Sequence, residues 1–287
     1  MSETPTRRLR GLIERRQAVL LPGAANALAA RIIEDLGFEA IYVTGAGVTN
    51  TFLGMPDIGL ITVTELADHV AAMRDAVALP LIVDADTGFG NAINVGRSIR
   101  TLERAGASAI QLEDQDFPKR CGHFSGKSVI PKDEMVQKIR AAADARTDAG
   151  MVIVARTDAI AVNGFEDAID RANAYIEAGA DMTFVEAPRT PEQIAAIPKL
   201  AVPQLLNIVA GGLTPMLPRQ DLERTGYSLV LYANAALQAA VAGMQDVLGH
   251  LKADGSLDGV SEKLAGFAER QRLVNKPHFD ALEKKYT

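Results

Sequence analysis

A single cysteine, Cys121, stands in 287 residues, so the chain can form no disulfide within itself, and a reducing cytoplasm is the expected compartment. No basic block is present either. Lys and Arg total 30 against 36 Asp and Glu, a formal net charge of −6, and an acidic chain of this kind is a poor partner for nucleic acid or an anionic membrane. The apolar runs have the length of strands and none approaches a membrane span. Residues 1–10 are polar and basic with no apolar stretch behind them, so no signal peptide is expected. What the chain does carry is a 48% apolar share, enough for a large core, and an ordinary 23% of charged residues. A chain of this length fits one α/β barrel, so a single domain over 1–287 is the starting expectation.

Apolar runs at 19–22, 40–44, 80–84, 109–113, 152–156, 182–186, 204–208 and 228–232 alternate with amphipathic stretches at 26–36, 64–77, 95–105, 134–145, 165–178 and 218–225. The runs are continuously apolar, as strands covered on both faces must be. Gly37, Gly106, Gly179 and Gly226 each stand just past a helical stretch, where glycine ends a helix cheaply in the left-handed conformation. Strand–helix units repeated in series predict a (β/α)8 barrel, with a doubly wound open sheet as the alternative topology. Residues 235–251 and 256–286 read as further helices, an extension at 235–287 that either packs outside the barrel or docks on a neighbouring subunit.

Reactive groups of such barrels sit at the carboxyl ends of the strands. Here those ends read Thr44-Gly45-Ala46-Gly47, Asp84-Ala85-Asp86, Glu113-Asp114-Gln115, Arg156-Thr157-Asp158, Glu186 and Asn207. One charge after a buried run is most simply a loop cap. Many strands ending this way share a location, and that coincidence points to a site. Asp84 and Asp86 alternate along one strand and Glu113 ends the next; hard oxygen donors without His or Cys suit Mg2+ or Mn2+ rather than zinc. The alternative is that the aspartates cap the following helix. Gly45-Ala46-Gly47 fails as a dinucleotide fingerprint and reads better as an amide cradle for a carboxylate; Gly211-Gly212 offers a weaker cue for a phosphate.

The segment Lys119-Arg120-Cys121-Gly122-His123 lies in a long connection running to about Pro131. A lone cysteine is usually a small buried hydrophobe, but two cations precede this one and a histidine follows, a setting that poises a thiol for proton transfer. The length of the connection suggests a lid. His123 could donate to a substrate carboxylate or be an ordinary surface histidine.

Taken together, these residues resemble the isocitrate lyase/phosphoenolpyruvate mutase superfamily. Lys119-Arg120-Cys121-Gly122-His123 matches the isocitrate lyase signature, and Asp84-Ala85-Asp86-Thr87-Gly88-Phe89-Gly90 is similar to the superfamily's metal loop. Leu112-Glu113-Asp114-Gln115, 155–159, Glu186-Ala187 and 207–215 fit as well, and the resemblance runs from Pro22 to about Leu251. By pattern the chain is similar to the short members: 2-methylisocitrate lyases, 2,3-dimethylmalate lyases and proteins labelled carboxyphosphonoenolpyruvate phosphonomutase. The resemblance implies a barrel with a swapped C-terminal helix, a homotetramer built from two dimers, and Mg2+ near Asp84, Asp86 and Glu113, held largely through water. It implies that Thr44, Gly45, Ala46 and Arg156 hold a 2-oxoacid, that Gly122, His123, Glu186 and Asn207 hold the other fragment of a di- or tricarboxylate, and that Cys121 is the acid protonating the released carbanion. Tyr42 and Asp57 match further positions near the site.

The chain departs from the pattern at Phe124 and at Tyr232-Ala233-Asn234-Ala235, where methylisocitrate lyases tend to have proline and leucine. Both bear on the substituent of the substrate. The expected reaction is cleavage of a substituted malate- or isocitrate-type 2-hydroxy acid to a 2-oxoacid such as pyruvate plus a carboxylate. The competing readings are decarboxylation or hydrolysis of oxaloacetate on the same fold, phosphorus–carbon mutation, which goes without the Cys-Gly-His motif, and a non-catalytic binding protein, which would show an eroded site.

Overall fold

A computed structural model of the chain describes residues 3–120 and 126–287. Its strands are β1 (Val19–Ala24), β2 (Ile41–Val43), β3 (Leu81–Asp84), β4 (Ala109–Glu113), β5 (Val152–Thr157), β6 (Met182–Val185), β7 (Leu205–Asn207) and β8 (Leu229–Tyr232). All pair in parallel, in the order β6-β5-β4-β3-β2-β1-β8-β7. β1 therefore pairs with both β2 and β8. A parallel bridge between Thr183 and Gln204 joins the two ends of the sheet, giving a nearly closed (β/α)8 barrel and ruling out the doubly wound alternative.

Side chains alternate across each strand. One set, including Leu21, Tyr42, Ile82, Ala109, Val152, Val154, Phe184, Leu205 and Leu231, fills the barrel. The other, including Ile41, Val43, Val83, Ile110, Leu112, Ile153 and Ala155, packs against Leu66, Val70, Ile99, Leu102, Met135 and Ile139 of the surrounding helices. Both sets are apolar, which explains why the runs show no alternation in sequence. The expected glycines at helix ends have φ of 81° (Gly37), 106° (Gly106), 107° (Gly179) and 84° (Gly226).

The amino-terminal end of the barrel is sealed by an element that the sequence reading passed over. Helix Pro5–Glu14 starts with Thr4 as its cap and Pro5 in the first turn, and it places Leu9, Leu12 and Ile13 in the barrel core. Arg10 fixes it there, donating to the carbonyls of Ala149, Gly150 and Met151 and pairing with Asp181 at 2.9 Å.

After β8 comes helix Ala235–Asp254, none of whose 20 residues is buried. Val241, Met244, Leu248 and Leu251 are all exposed. The expected continuous helix at 256–286 is broken: Gly259 and Asn275 have left-handed backbone, leaving helices Phe267–Leu273 and Lys276–Tyr286. The first of these returns to the body of its own chain, where Arg272 pairs with Asp35 at 2.6 Å. No helix among the described residues is long and apolar enough to cross a membrane. Leu12→Ala should cost about 3 kcal/mol of stability, since it empties a site sealed by helix and strands; urea denaturation checks this, and a loss under about 1 kcal/mol would mean that the helix does not seal the barrel.

Candidate active site

The inward parity that fills the barrel continues to its carboxyl end and there changes chemistry. Two residues beyond the apolar row come Thr44 after Tyr42, Asp84 after Ile82, Gln111 and Glu113 after Ala109, Arg156 after Val154, Glu186 after Phe184 and Asn207 after Leu205. All of these polar residues are buried. Tyr42, Thr44, Ala46, Asp57, Asp84, Arg156, Glu186 and Asn207 line one cavity of about 350 Å3, together with Lys119 and Arg120. Asp86 and Glu113 stand behind its lining, paired with Lys119 and Arg156, and Gly45 lies next to Thr44 and Ala46. Cys121, Gly122 and His123 lie outside the described residues.

Gly45-Ala46-Gly47 forms the first turn of a helix, Gly45–Leu53, rather than a loop. Thr44 caps it, its Oγ1 accepting from Gly47 N–H at 3.2 Å, so one amide of the expected cradle is already used. Gly45 is needed for a different reason: a Cβ there would lie 3.2 Å from Asp86 Oδ1 and 3.3 Å from Asp84 Oδ2. The two aspartates do not cap the helix that follows them. Asn91 does, through a capping box with Asn94. Asp86 (φ 48°) and Ala187 beside Glu186 (φ 57°) hold left-handed backbone without being glycine, each at a cost of roughly 1–2 kcal/mol.

Asp84 Oδ1 accepts from the Asp86 N–H at 3.2 Å and from Gln111 Nε2 at 3.1 Å, and Gln111 Oε1 accepts from the Tyr42 hydroxyl at 2.7 Å. Burial, reinforced by Asp84, lifts Tyr42 well above the usual tyrosine range, so its phenol acts as a donor. Lys119 reaches between Asp57 (2.5 Å) and Asp86 (2.9 Å). Burial alone would pull its ammonium down; Asp86, Glu113 and Asp57 more than reverse that. Asp86 is pushed up to about 6 by burial, with Lys119 opposing. Burial likewise raises Glu113, against the pull of Arg156. Arg156 lies 3.4 Å from Glu113 Oε2 and stays firmly charged, burial being outweighed by Asp158 and Glu113. Asn207 Nδ2 donates to Glu186 Oε1 at 3.3 Å.

Among the described residues, carboxylates outnumber cations here: Asp57, Asp84, Asp86, Glu113, Asp158 and Glu186 face Lys119, Lys127, Arg156 and, lining the cavity, Arg120. Among these residues two formal acidic charges remain over. Among the described residues, Glu113 Oε1 is buried with no hydrogen-bond partner. No three His, Cys, Asp or Glu side chains among the described residues converge as a complete metal cage. The donors Asp84, Asp86 and Glu113 are hard oxygens, the type magnesium takes when it binds through few carboxylates and keeps its waters.

Sequence reasoning missed Gln111, although its step of two from Glu113 was a usable signal. It also missed Lys119 and Lys127 as buried partners of distant carboxylates, for which a linear sequence carries no signal. Asp57, in the connection after helix Gly45–Leu53, was found only by resemblance.

The profile of the phosphoenolpyruvate phosphomutase family matches residues 9–252. The 2,3-dimethylmalate lyase of Eubacterium barkeri is 42% identical over 281 residues, covering 97% of both chains. The 2-methylisocitrate lyase of Aeropyrum pernix is 45% identical over 273 residues, covering 95% of this chain and 88% of the relative. A structure of oxaloacetate acetylhydrolase with its product oxalate superposes with a TM-score of 0.91 at 31% identity, covering 99% of each chain. The chain belongs to the isocitrate lyase/phosphoenolpyruvate mutase superfamily, as an enzyme of its lyase branch.

Proposed function

We propose that the chain is a Mg2+-dependent carbon–carbon lyase that cleaves a 2-hydroxy acid of the substituted malate or isocitrate type to a 2-oxoacid and a second carboxylate. One observation carries this reading: a buried excess of carboxylate surrounds a firmly charged arginine in a single cavity at the barrel mouth. Its support from relatives is that two lyases of such acids match along almost the whole chain.

Arg156 binds the carboxylate of the 2-oxoacid fragment and stabilises the negative charge on its 2-oxygen from which C2–C3 cleavage starts. Thr44, Gly45 and Ala46 present the positive end of helix Gly45–Leu53 to the same fragment. Asp84, Asp86 and Glu113 would hold a divalent ion, which would supply positive charge to the oxygen-rich transition state. Glu186, Asn207, Gly122 and His123 hold the second fragment. The 2-hydroxyl proton passes to a carboxylate of the acidic cluster as the C2–O bond becomes the carbonyl of the 2-oxoacid; the C2–C3 electron pair is left on the carbon of the second fragment, and the Cys121 thiol protonates it there. The donor phenol of Tyr42 fixes the acidic cluster through Gln111. The structural likeness to oxaloacetate acetylhydrolase keeps one second reading, action on oxaloacetate.

NMR of products formed with Mg2+ from 2-methylisocitrate, 2,3-dimethylmalate, 2-methylmalate, isocitrate and oxaloacetate decides between them. A 2-oxoacid with its matching second acid is expected. EDTA should abolish it, and Cys121→Ser should lower the rate about 10^2- to 10^4-fold. Pyruvate or oxalate from oxaloacetate alone, indifferent to Cys121, would establish the second reading.

The partner surface follows from the same barrel. Val241, Met244, Leu248 and Leu251 leave a bare apolar row on the helix after β8, and Leu28, Ile32 and Leu36 leave another beside helix Ala27–Asp35. Next to the second row lies a cleft lined by Val19, Leu20, Phe38 and Arg219, the flank that a helix following β8 would cover. The proposed occupant is that helix from a second copy, exchanged within a homotetramer. Light scattering should give a tetramer of the 30.6 kDa chain, and Met244→Glu with Leu248→Glu should yield monomers; a monomeric wild type would contradict the exchange.

A further inference from the structure

Arg156 is held on all but one side. Asp158 Oδ2 accepts from Nε at 2.8 Å and Oδ1 from Nη2 at 3.1 Å, which consumes one edge of the guanidinium. The Phe184 ring backs one face, 5.0 Å from Cζ. Nη1 remains, directed toward Glu113 at the cavity that Arg156 lines.

Asp158 is itself rigidly placed. Its N–H donates to Asp114 Oδ1 at 3.0 Å, and Asp114 Oδ2 accepts from Thr157 Oγ1 (2.7 Å), the Tyr175 hydroxyl (2.8 Å) and Arg171 (3.2 Å). A second cation also reaches it. Lys127 Nζ donates to Asp158 Oδ1 at 2.8 Å, and the two side chains are 1% and 0% exposed. Arg156 and Lys127 together hold the Asp158 carboxyl down at about 2, against the effect of burial.

An arginine in bidentate contact with one aspartate is nearly neutral as a unit, and its attraction for an anion a few ångströms away is largely cancelled. A second ammonium on the same aspartate restores one net positive charge. We propose that Lys127 is a positioning residue that acts through Asp158, keeping the charge of Arg156 available to a carboxylate ligand while Asp158 fixes the guanidinium's direction. The proposal rests on the reading of Arg156 as a carboxylate-binding group. It gives the lysine an electrostatic task distinct from tethering its own segment of chain.

Binding of oxalate in the presence of Mg2+, followed by isothermal titration calorimetry, separates charge from tether without requiring turnover. Lys127→Gln keeps a donor for Asp158 and removes the charge; it should weaken oxalate about 10- to 100-fold, the range for one unscreened charge near a buried anion. Lys127→Arg should bind within about threefold of the wild type. The double variant Asp158→Asn, Lys127→Gln keeps one of the two hydrogen bonds to Arg156, because an amide supplies a single acceptor oxygen, and returns the unit to the single charge of Arg156, so it should recover most of the binding that Lys127→Gln loses. Undiminished binding by Lys127→Gln, or a double variant as weak as the single, would overturn the proposal. If Lys127→Gln fails to fold, the double variant decides alone. A wild type that binds no oxalate would instead remove the anion site on which the proposal rests.

Discussion

Charge buried at the mouth of an apolar barrel is the constraint on which the rest of this structure depends. Isolated carboxylates in such a place would protonate or unfold the site. Here they are partly paired, with Lys119 bridging Asp57 and Asp86, Arg156 beside Glu113, and Asp158 shared by Arg156 and Lys127. Pairing is incomplete: burial still raises Asp86 and Glu113. That incompleteness is the observation behind the proposed divalent ion and the enolate it would face.

Strand parity delivers the charges to one place. The same alternation that puts Ile82, Val154 and Phe184 in the core puts Asp84, Arg156 and Glu186 above them, one step along each strand. Core and site are thus a single stack, and the fixed register between β3, β4 and β5 sets the spacing of Asp84, Glu113 and Arg156. The floor of the stack is Leu9, Leu12 and Ile13 of the first helix. The cost of left-handed backbone at Asp86 and Ala187 is borne by this large core.

Much of this was legible in the sequence. Apolar runs covered on both faces, glycine after four of the helices and polar residues at the strand ends located the barrel and its mouth, because each is a local signature of burial, turn geometry or desolvation. What escaped was either local but masked or not local at all. The spacing of Leu9, Leu12 and Ile13 was present, hidden among five arginines between Arg7 and Arg16. Thr44 and Gly47 form a helix cap that reads equally well as a glycine-rich loop. The pairing of Lys119 with Asp57, of Lys127 with Asp158 and of Gln111 with Tyr42 joins residues far apart in sequence, and only closure of the barrel brings them together. Cys121, Gly122 and His123, the most specific motif in the sequence, fall outside the described residues, so their roles rest on the resemblance.

Thermal unfolding with and without Mg2+ tests the central claim that the acidic cluster is completed by a divalent cation. A ligand that binds only the folded state stabilises it by about 2.7 kcal/mol at a hundredfold excess over its dissociation constant, which for a chain of this size raises Tm by about 5 °C or more. The account predicts such a rise for the wild type and its loss in Glu113→Gln. A Tm that does not respond to Mg2+, or a rise that survives Glu113→Gln unchanged, would contradict it.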